Sequence, residues 1–195
     1  TFSVNATESS FSLYSSDSSE SSIDNGIGHR MEKYNNILQV EAINAFELQD
    51  DYVGGKIELV SGDVFDETDE DVAIISYELG VENNLSVGDT ITLKDSDNDE
   101  HVLTIIGIYQ QKDANNFANY NKIYIDINSA EKFLSEEEYN HPSEDVWIAK
   151  SAKVAPTACI NGPVIIGKEA EVRHCAFIRG KAIVGEGAVV GNSTE

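Results

Sequence analysis

The sequence predicts an α+β domain built on a mixed sheet, followed by a short parallel β-helix. Three observations lead there. Short apolar runs of strand type alternate with brief helical signals through most of the chain. A six-residue aliphatic period takes over near the end. The composition changes where the period begins: residues 1–140 hold 29 acidic and 7 basic side chains, while residues 141–195 hold 6 of each. All three prolines, both cysteines and Trp147 lie after that point, and all eight tyrosines lie before it. The boundary is placed near Asn140 to Asp145, giving a Ser-rich lead-in (1–22), an acidic α+β domain (23–140) and a repeat region (141–195).

The net charge of −22 over 195 residues excludes some functions. Nucleic-acid binding rests on phosphate neutralisation by Lys and Arg, which this composition opposes, and an anionic membrane surface is disfavoured for the same reason. No apolar run approaches the roughly 20 residues of a membrane-spanning helix. The chain begins with Thr1 and shows no basic segment leading into an apolar one, so it reads as a mature or excised soluble piece.

Residues 1–22 carry ten serines, the mark of a solvated lead-in. The alternation Phe11-Ser12-Leu13 permits a short strand, so partial order is expected. Asn5-Ala6-Thr7 matches a glycosylation acceptor, a pattern too short to carry weight. Strands are then expected at 37–42 and 56–60, the second entered through Gly54-Gly55 and left through Ser61-Gly62. Val72-Ala73-Ile74-Ile75 is a continuous apolar run, as in a strand buried on both faces. Ser76 is placed to cap a helix that stops at Asn83-Asn84. A Val87-Gly88-Asp89 turn enters a strand at 90–93, which pairs as a hairpin with the β-rich run 101–109. A strand at 122–127 precedes a helix expected to be capped by Asn128, with Glu131 completing a capping box.

Chemistry candidates in this domain are few. Asp95, Asp97 and Asp99 alternate as at the start of an EF-hand loop, but Glu100 stands where glycine is needed and Ile106 where glutamate is needed. A solvated hairpin tip is the favoured reading. The run Asp66-Glu67-Thr68-Asp69-Glu70-Asp71 is read as a solvated loop, because like charges repel rather than organise. His29 and His101 have no Cys or His neighbour at ligand spacing and are read as surface residues. No metal and no cofactor are expected.

Four stretches together, Gly62 to Phe65, Val72 to Ser76, Asn83 to Leu93 and Leu103 to Tyr109, resemble the extracytoplasmic core domain of MacB/FtsX-like ABC transporter permeases. The resemblance covers about residues 37–139. It implies a non-catalytic domain outside the membrane, moved by ATP hydrolysis inside the cell. It implies as partners a transporter ATPase subunit and the membrane helices of the intact permease, with a peptide or lipoprotein substrate or envelope signalling as its task.

In the repeat region Ile148, Val154, Ile160, Ile166, Val172, Ile178, Val184 and Val190 recur every six positions. A small or β-branched residue follows four later in each hexad: Ala152, Ala158, Val164, Ala170, Ala176, Ala182, Ala188 and Thr194. Each hexad is expected to form one flat side of a triangular prism, aliphatic residue inward. Gly167, Gly185 and Gly191, with Ala149 and Ala155, occupy the tight turns. Val172 to Gly180 with Gly191 to Glu195 resemble the left-handed β-helix of hexapeptide acyltransferases and, more narrowly, of bacterial nucleotidyltransferase-like proteins, which are cytosolic. Within that resemblance His174 is a weak candidate for a general base. Arg173, Arg179 and Lys181 are read as the solvated outside of the prism, and Cys159 and Cys175 as unpaired.

The favoured function is a non-catalytic binding and coupling domain of a permease at the cell envelope. The alternative is a fragment of a hexapeptide acyltransferase or sugar-nucleotide transferase. The repeat region also permits self-association, because an uncapped β-helix end exposes backbone groups.

Overall fold

The computed structural model describes residues 2–5, 12–13, 37–66, 68–95, 98–112, 120–134, 138–143 and 145–191. His29, Asp97, Glu67 and Thr194 therefore lie outside the described residues. The chain divides into two compact units, Thr1–Asp126 and Ile127–Glu195.

The first unit is a seven-stranded mixed sheet with short helices, as an α+β domain requires. Strands β1 (Phe2–Asn5), β2 (Ile37–Ile43), β3 (Ile57–Gly62), β4 (Val72–Ser76), β5 (Thr90–Lys94), β6 (Glu100–Gln111) and β7 (Lys122–Asp126) are arranged β1-β2-β7-β4-β6-β3, with β5 also on β6. The pairs β2/β7 and β4/β6 are parallel and the others antiparallel. All five residues of β4 are buried, which accounts for its unbroken apolar run. Burying a side chain such as Ile74 or Ile75 is worth about 1.5–3 kcal/mol. β5 and β6 form the expected hairpin, with Thr90 opposite Thr104.

Two features early in the chain differ from expectation. The strand of the lead-in is β1, at Phe2–Asn5, and Ser12 is held instead by the side chain of Asn83. Helix α1 (Asp50–Val53), preceded by a 3-10 turn at Phe46–Leu48, carries no helical apolar period by which the sequence could announce it. Its N-cap is Gln49, whose side chain accepts from the N–H groups of Asp51 and Tyr52. Helix α2 (Tyr77–Asn83) follows the sequence closely. Ser76 Oγ accepts from the Leu79 N–H at 3.1 Å, and Asn84 ends the helix in the left-handed region with φ 53.

In the second unit, helix α3 spans Ile127–Ala130 and a 3-10 turn covers Glu131–Phe133. Asn128 thus lies inside the helix rather than ahead of it, and Glu131 opens the 3-10 turn, so the expected capping box does not form. Strands β8 (Tyr139–Ser143) and β9 (Val146–Ala149) make an antiparallel pair. This pair spans the stretch where composition changes.

Short strands then follow in order: β10 (Lys153–Val154), β11 (Cys159–Ile160), β12 (Val164–Ile166), β13 (Glu171–Val172), β14 (Phe177–Ile178), β15 (Ala182–Val184) and β16 (Val189–Val190). They form three parallel stacks: β9/β12/β15, β10/β13/β16 and β11/β14. Neighbouring layers are 18 residues apart, as where Ser151 Oγ accepts from the Glu169 N–H. Ladder bonds run between layers, for example Lys153 N–H to Ala170 O and Glu171 N–H to Ala188 O, each 2.8 Å. One core joins Val164, Ile166, Ala170, Val172, Ala176, Ile178 and Val184, with Ile148, Val154, Ile160 and Val190 packed against it.

The turns of this unit refine the expected role of glycine. Ala158, Ala170, Ala176 and Ala188 each donate N–H to the carbonyl three residues earlier, so Ala155, Gly167, Arg173 and Gly185 open the turns. The left-handed residues stand two positions further on: Glu169, Cys175 and Gly187, with φ between 56 and 68. Gly167 serves close approach instead, since a Cβ there would lie 2.9 Å from Val184 O and from Glu186 N.

Candidate functional site

Most of the candidates named from the sequence turn out to be local architecture. Asp95 uses both carboxylate oxygens within its own hairpin: Oδ1 accepts from the Asp99 N–H at 3.0 Å, and Oδ2 lies 2.7 Å from His101 Nε2. The tip is therefore organised rather than merely solvated, and His101, expected at the surface, has a side chain only 14% exposed. The acidic run also organises itself. Asp66 Oδ1 accepts from the Thr68 N–H and hydroxyl, and Asp69 Oδ2 accepts from the Asp66 N–H at 2.7 Å. Asp71 follows in the left-handed region, and Asp126, almost fully buried, accepts from the Val72 N–H at 3.4 Å.

In the second unit His174 is exposed, with Nδ1 3.1 Å from Thr157 Oγ1. A general base of this kind is ordinarily oriented by an acceptor on its second nitrogen, and among the described residues no carboxylate pairs with it. Arg173 Nε donates to Glu171 Oε1 at 2.8 Å on the surface. Arg179 is exposed and Lys181 half-buried. Cys159 and Cys175 are both free and exposed. Among the described residues no group of three or more His, Cys, Asp or Glu is placed to hold a metal ion.

The densest chemistry lies in a cluster that sequence reasoning missed, on one face of the first sheet. The rings of Phe46 and Tyr124 meet edge-on at 5.3 Å, as do those of Tyr109 and Tyr124, and Tyr52 packs on Phe46 at 5.2 Å. Phe46, Tyr109 and Tyr124 are fully buried and share a core with Ile57, Phe65, Val72 and Ile74. Tyr109 Oη donates to Lys122 O at 3.0 Å. The Tyr124 hydroxyl has no hydrogen-bond partner among the described residues.

Charge gathers around these rings. Lys122 Nζ lies 2.9 Å from Glu41 Oε2 and 5.5 Å from the centre of the Tyr124 ring. Lys56 Nζ donates to Asp51 Oδ1 at 2.8 Å. Burial first, then Tyr124 and the carboxylates of Glu78, Glu41 and Asp51, push the Tyr109 phenol well above its ordinary range. Burial, then Glu41 and Asp51, does the same to Tyr124. Glu78, in the first turn of α2, is raised by burial, and its Oε2 has no hydrogen-bond partner among the described residues. Both tyrosines are thus kept neutral and closed away from substrate. The carboxylates beside the rings are already matched within the chain, Glu41 by Lys122 and Asp51 by Lys56. The sequence carried no signal for the cluster, because β6 and β7 contribute one tyrosine each, Tyr109 and Tyr124.

The sheet order, the capped α2 and the closed aromatic core define an α+β domain. The chain matches the MacB-like periplasmic core domain family over residues 13–158, and it belongs to that family. Membership implies placement outside the cytoplasmic membrane. A relative is the uncharacterized ABC transporter permease YclI of Bacillus subtilis (strain 168), 30% identical over 128 residues. That stretch is 60% of this chain but only 26% of the relative, so the chain spans about a quarter of that protein's length. No solved structure matches the chain. Among the described residues no helix is long and apolar enough to cross a membrane.

Proposed function

We propose that this chain is the extracytoplasmic domain of an ABC transporter permease, acting by binding and coupling rather than by catalysis. The family match over residues 13–158 is the observation that carries the reading. The permease relative supports it. The intact protein would join this domain to membrane helices and a transporter ATPase subunit, with a peptide or lipoprotein as cargo. The acidic surface would steer cationic partners towards the domain over long range. The region from 141 onwards is a short left-handed β-helix in this reading, supported by the 18-residue layer spacing and the shared aliphatic core. The hexapeptide-transferase alternative gains nothing from the surroundings of His174.

The test is to tag the natural gene within this domain and purify the intact protein in mild detergent. Co-purification of an ATPase subunit, together with cleavage of the domain by protease added outside intact cells, supports the reading. A tagged protein that protease cannot reach, or that brings down no ATPase, overturns it.

A further inference from the structure

The single tryptophan of the chain sits in a small polar cluster near the start of the second unit. The rings of His141 on β8 and Trp147 on β9 stack at 4.1 Å with 15° between their planes. Trp147 is half-buried, and His141 is exposed. Trp147 Nε1 and Glu131 Oε1 are both closed off from solvent, and neither has a hydrogen-bond partner among the described residues. Glu131 opens the 3-10 turn that ends at the buried Phe133. Burial raises its carboxyl above the ordinary range, and Asp145, between β8 and β9, adds to the rise. The Trp147 N–H and His141 pull the other way, so all four side chains act on one another. A carboxyl oxygen sealed from water without a closed hydrogen bond is tolerable when the group is protonated and costly when it is charged. The indole offers one N–H and no positive charge to offset that cost.

We propose that Glu131, Trp147 and His141 form a proton-read latch: a proton taken up at Glu131 seats the turn Glu131–Phe133 over Trp147, and its loss loosens that contact. The structure shows the seated form. The turn has three residues and no side-chain N-cap, so a change at Glu131 is felt across it. Losing the proton places a second negative charge near Asp145 and exposes the turn to the full cost of burying it. Seating is therefore complete below the ordinary carboxyl value of 4.5 and is lost as pH rises through the higher folded value. All four residues fall within the span matched to the family. A domain placed outside the cytoplasmic membrane meets the pH of its surroundings directly, which gives such a latch a signal to read.

Trp147 reports on the latch without a label. Acrylamide, a neutral quencher, is titrated into the full chain at fixed pH values from about 7.5 down to about 4.5, spanning the carboxylate range and above. The quenching constant should fall severalfold on acidification, because each pH unit between the two proton affinities changes seating about tenfold. Glu131→Gln, which fixes the neutral form, should be quenched weakly at every pH. His141→Phe keeps a stacked ring without the imidazole and should retain the response of the parent. The titration of the unmodified chain stands whether or not either variant folds. Quenching that is flat or that rises on acidification would overturn the proposal, as would Glu131→Gln following the parent. A response that vanishes in His141→Phe would assign the proton to the imidazole and overturn it too.

Discussion

Gly62 and Gly107 stand opposite each other where β3 pairs with β6, and neither strand leaves room for a side chain at that step. A Cβ on Gly62 would lie 2.0 Å from Ile106 O, and one on Gly107 would lie 2.5 Å from Asp63 O. Both obstacles are backbone atoms, which cannot swing away. Gly62 also has φ +79, a region that L side chains avoid.

Gly62→Ala and Gly107→Ala should therefore each destabilise the chain by about 2–3 kcal/mol, from overpacking and, at Gly62, strain. Gly55, with φ +68 and open space around it, is the control and should cost about 1–2 kcal/mol from strain alone. Urea denaturation would show lowered midpoints with an unchanged slope. Midpoints for the first two variants no lower than that of Gly55→Ala would refute the close approach of the backbones.

The two buried tyrosines should respond in opposite ways. Tyr109→Phe loses the bond to Lys122 O and should cost about 1 kcal/mol. Tyr124→Phe removes a buried hydroxyl that has no partner among the described residues, so its effect should be neutral or stabilising. Thermal unfolding of both variants would separate them, and a larger loss at Tyr124 would contradict the packing described.

Glu78 sets a pH dependence whose sign follows from its raised pKa. The folded carboxyl holds its proton to higher pH than the unfolded one, so folding favours the protonated form. Stability from this group is present below the ordinary value of 4.5 and is lost as pH rises through the folded value. Glu78→Gln should be more stable than the parent at neutral pH, and the gain should shrink as the pH is lowered below 4.5. Denaturation midpoints for both chains across that range would check it. A gain that grows on acidification would reverse the assignment.

In the layered unit, Ile166→Ala should cost about 2–5 kcal/mol, because Ile166 is fully buried in the shared core. Phe177, half exposed, should tolerate Ser with a loss of about 1 kcal/mol or less. Hydrogen exchange along the β9/β12/β15 ladder would register the first change and not the second.

What the sequence revealed followed from periodicity. The unbroken run of β4, the hairpin of β5 and β6, the Ser76 cap and the inward residues of the hexads each carry a pattern tied to a geometry. Elements held by single contacts left no such pattern. Helix α1 rests on the Gln49 cap beside a buried Phe46, while Leu48 and Val53 face solvent, so no apolar stripe announces it. Strand β1 lies in a stretch whose serines suggest solvation. The left-handed residues Glu169 and Cys175 have side chains that ordinarily avoid that conformation, so only the turn bonds reveal them. The aromatic cluster was illegible because Tyr109 and Tyr124 come from strands β6 and β7, which meet Phe46 only once the sheet is assembled.

The 18-residue spacing of the layers has a consequence for how this region can change length. Cutting out one whole layer in frame leaves aliphatic beneath aliphatic and alanine beneath alanine, so the remaining rungs re-join as before. A loss of any number that is not a multiple of six sets charged positions into the interior. The stack can thus grow or shorten by genetic duplication and deletion like a ladder cut between rungs, without redesign of its inside.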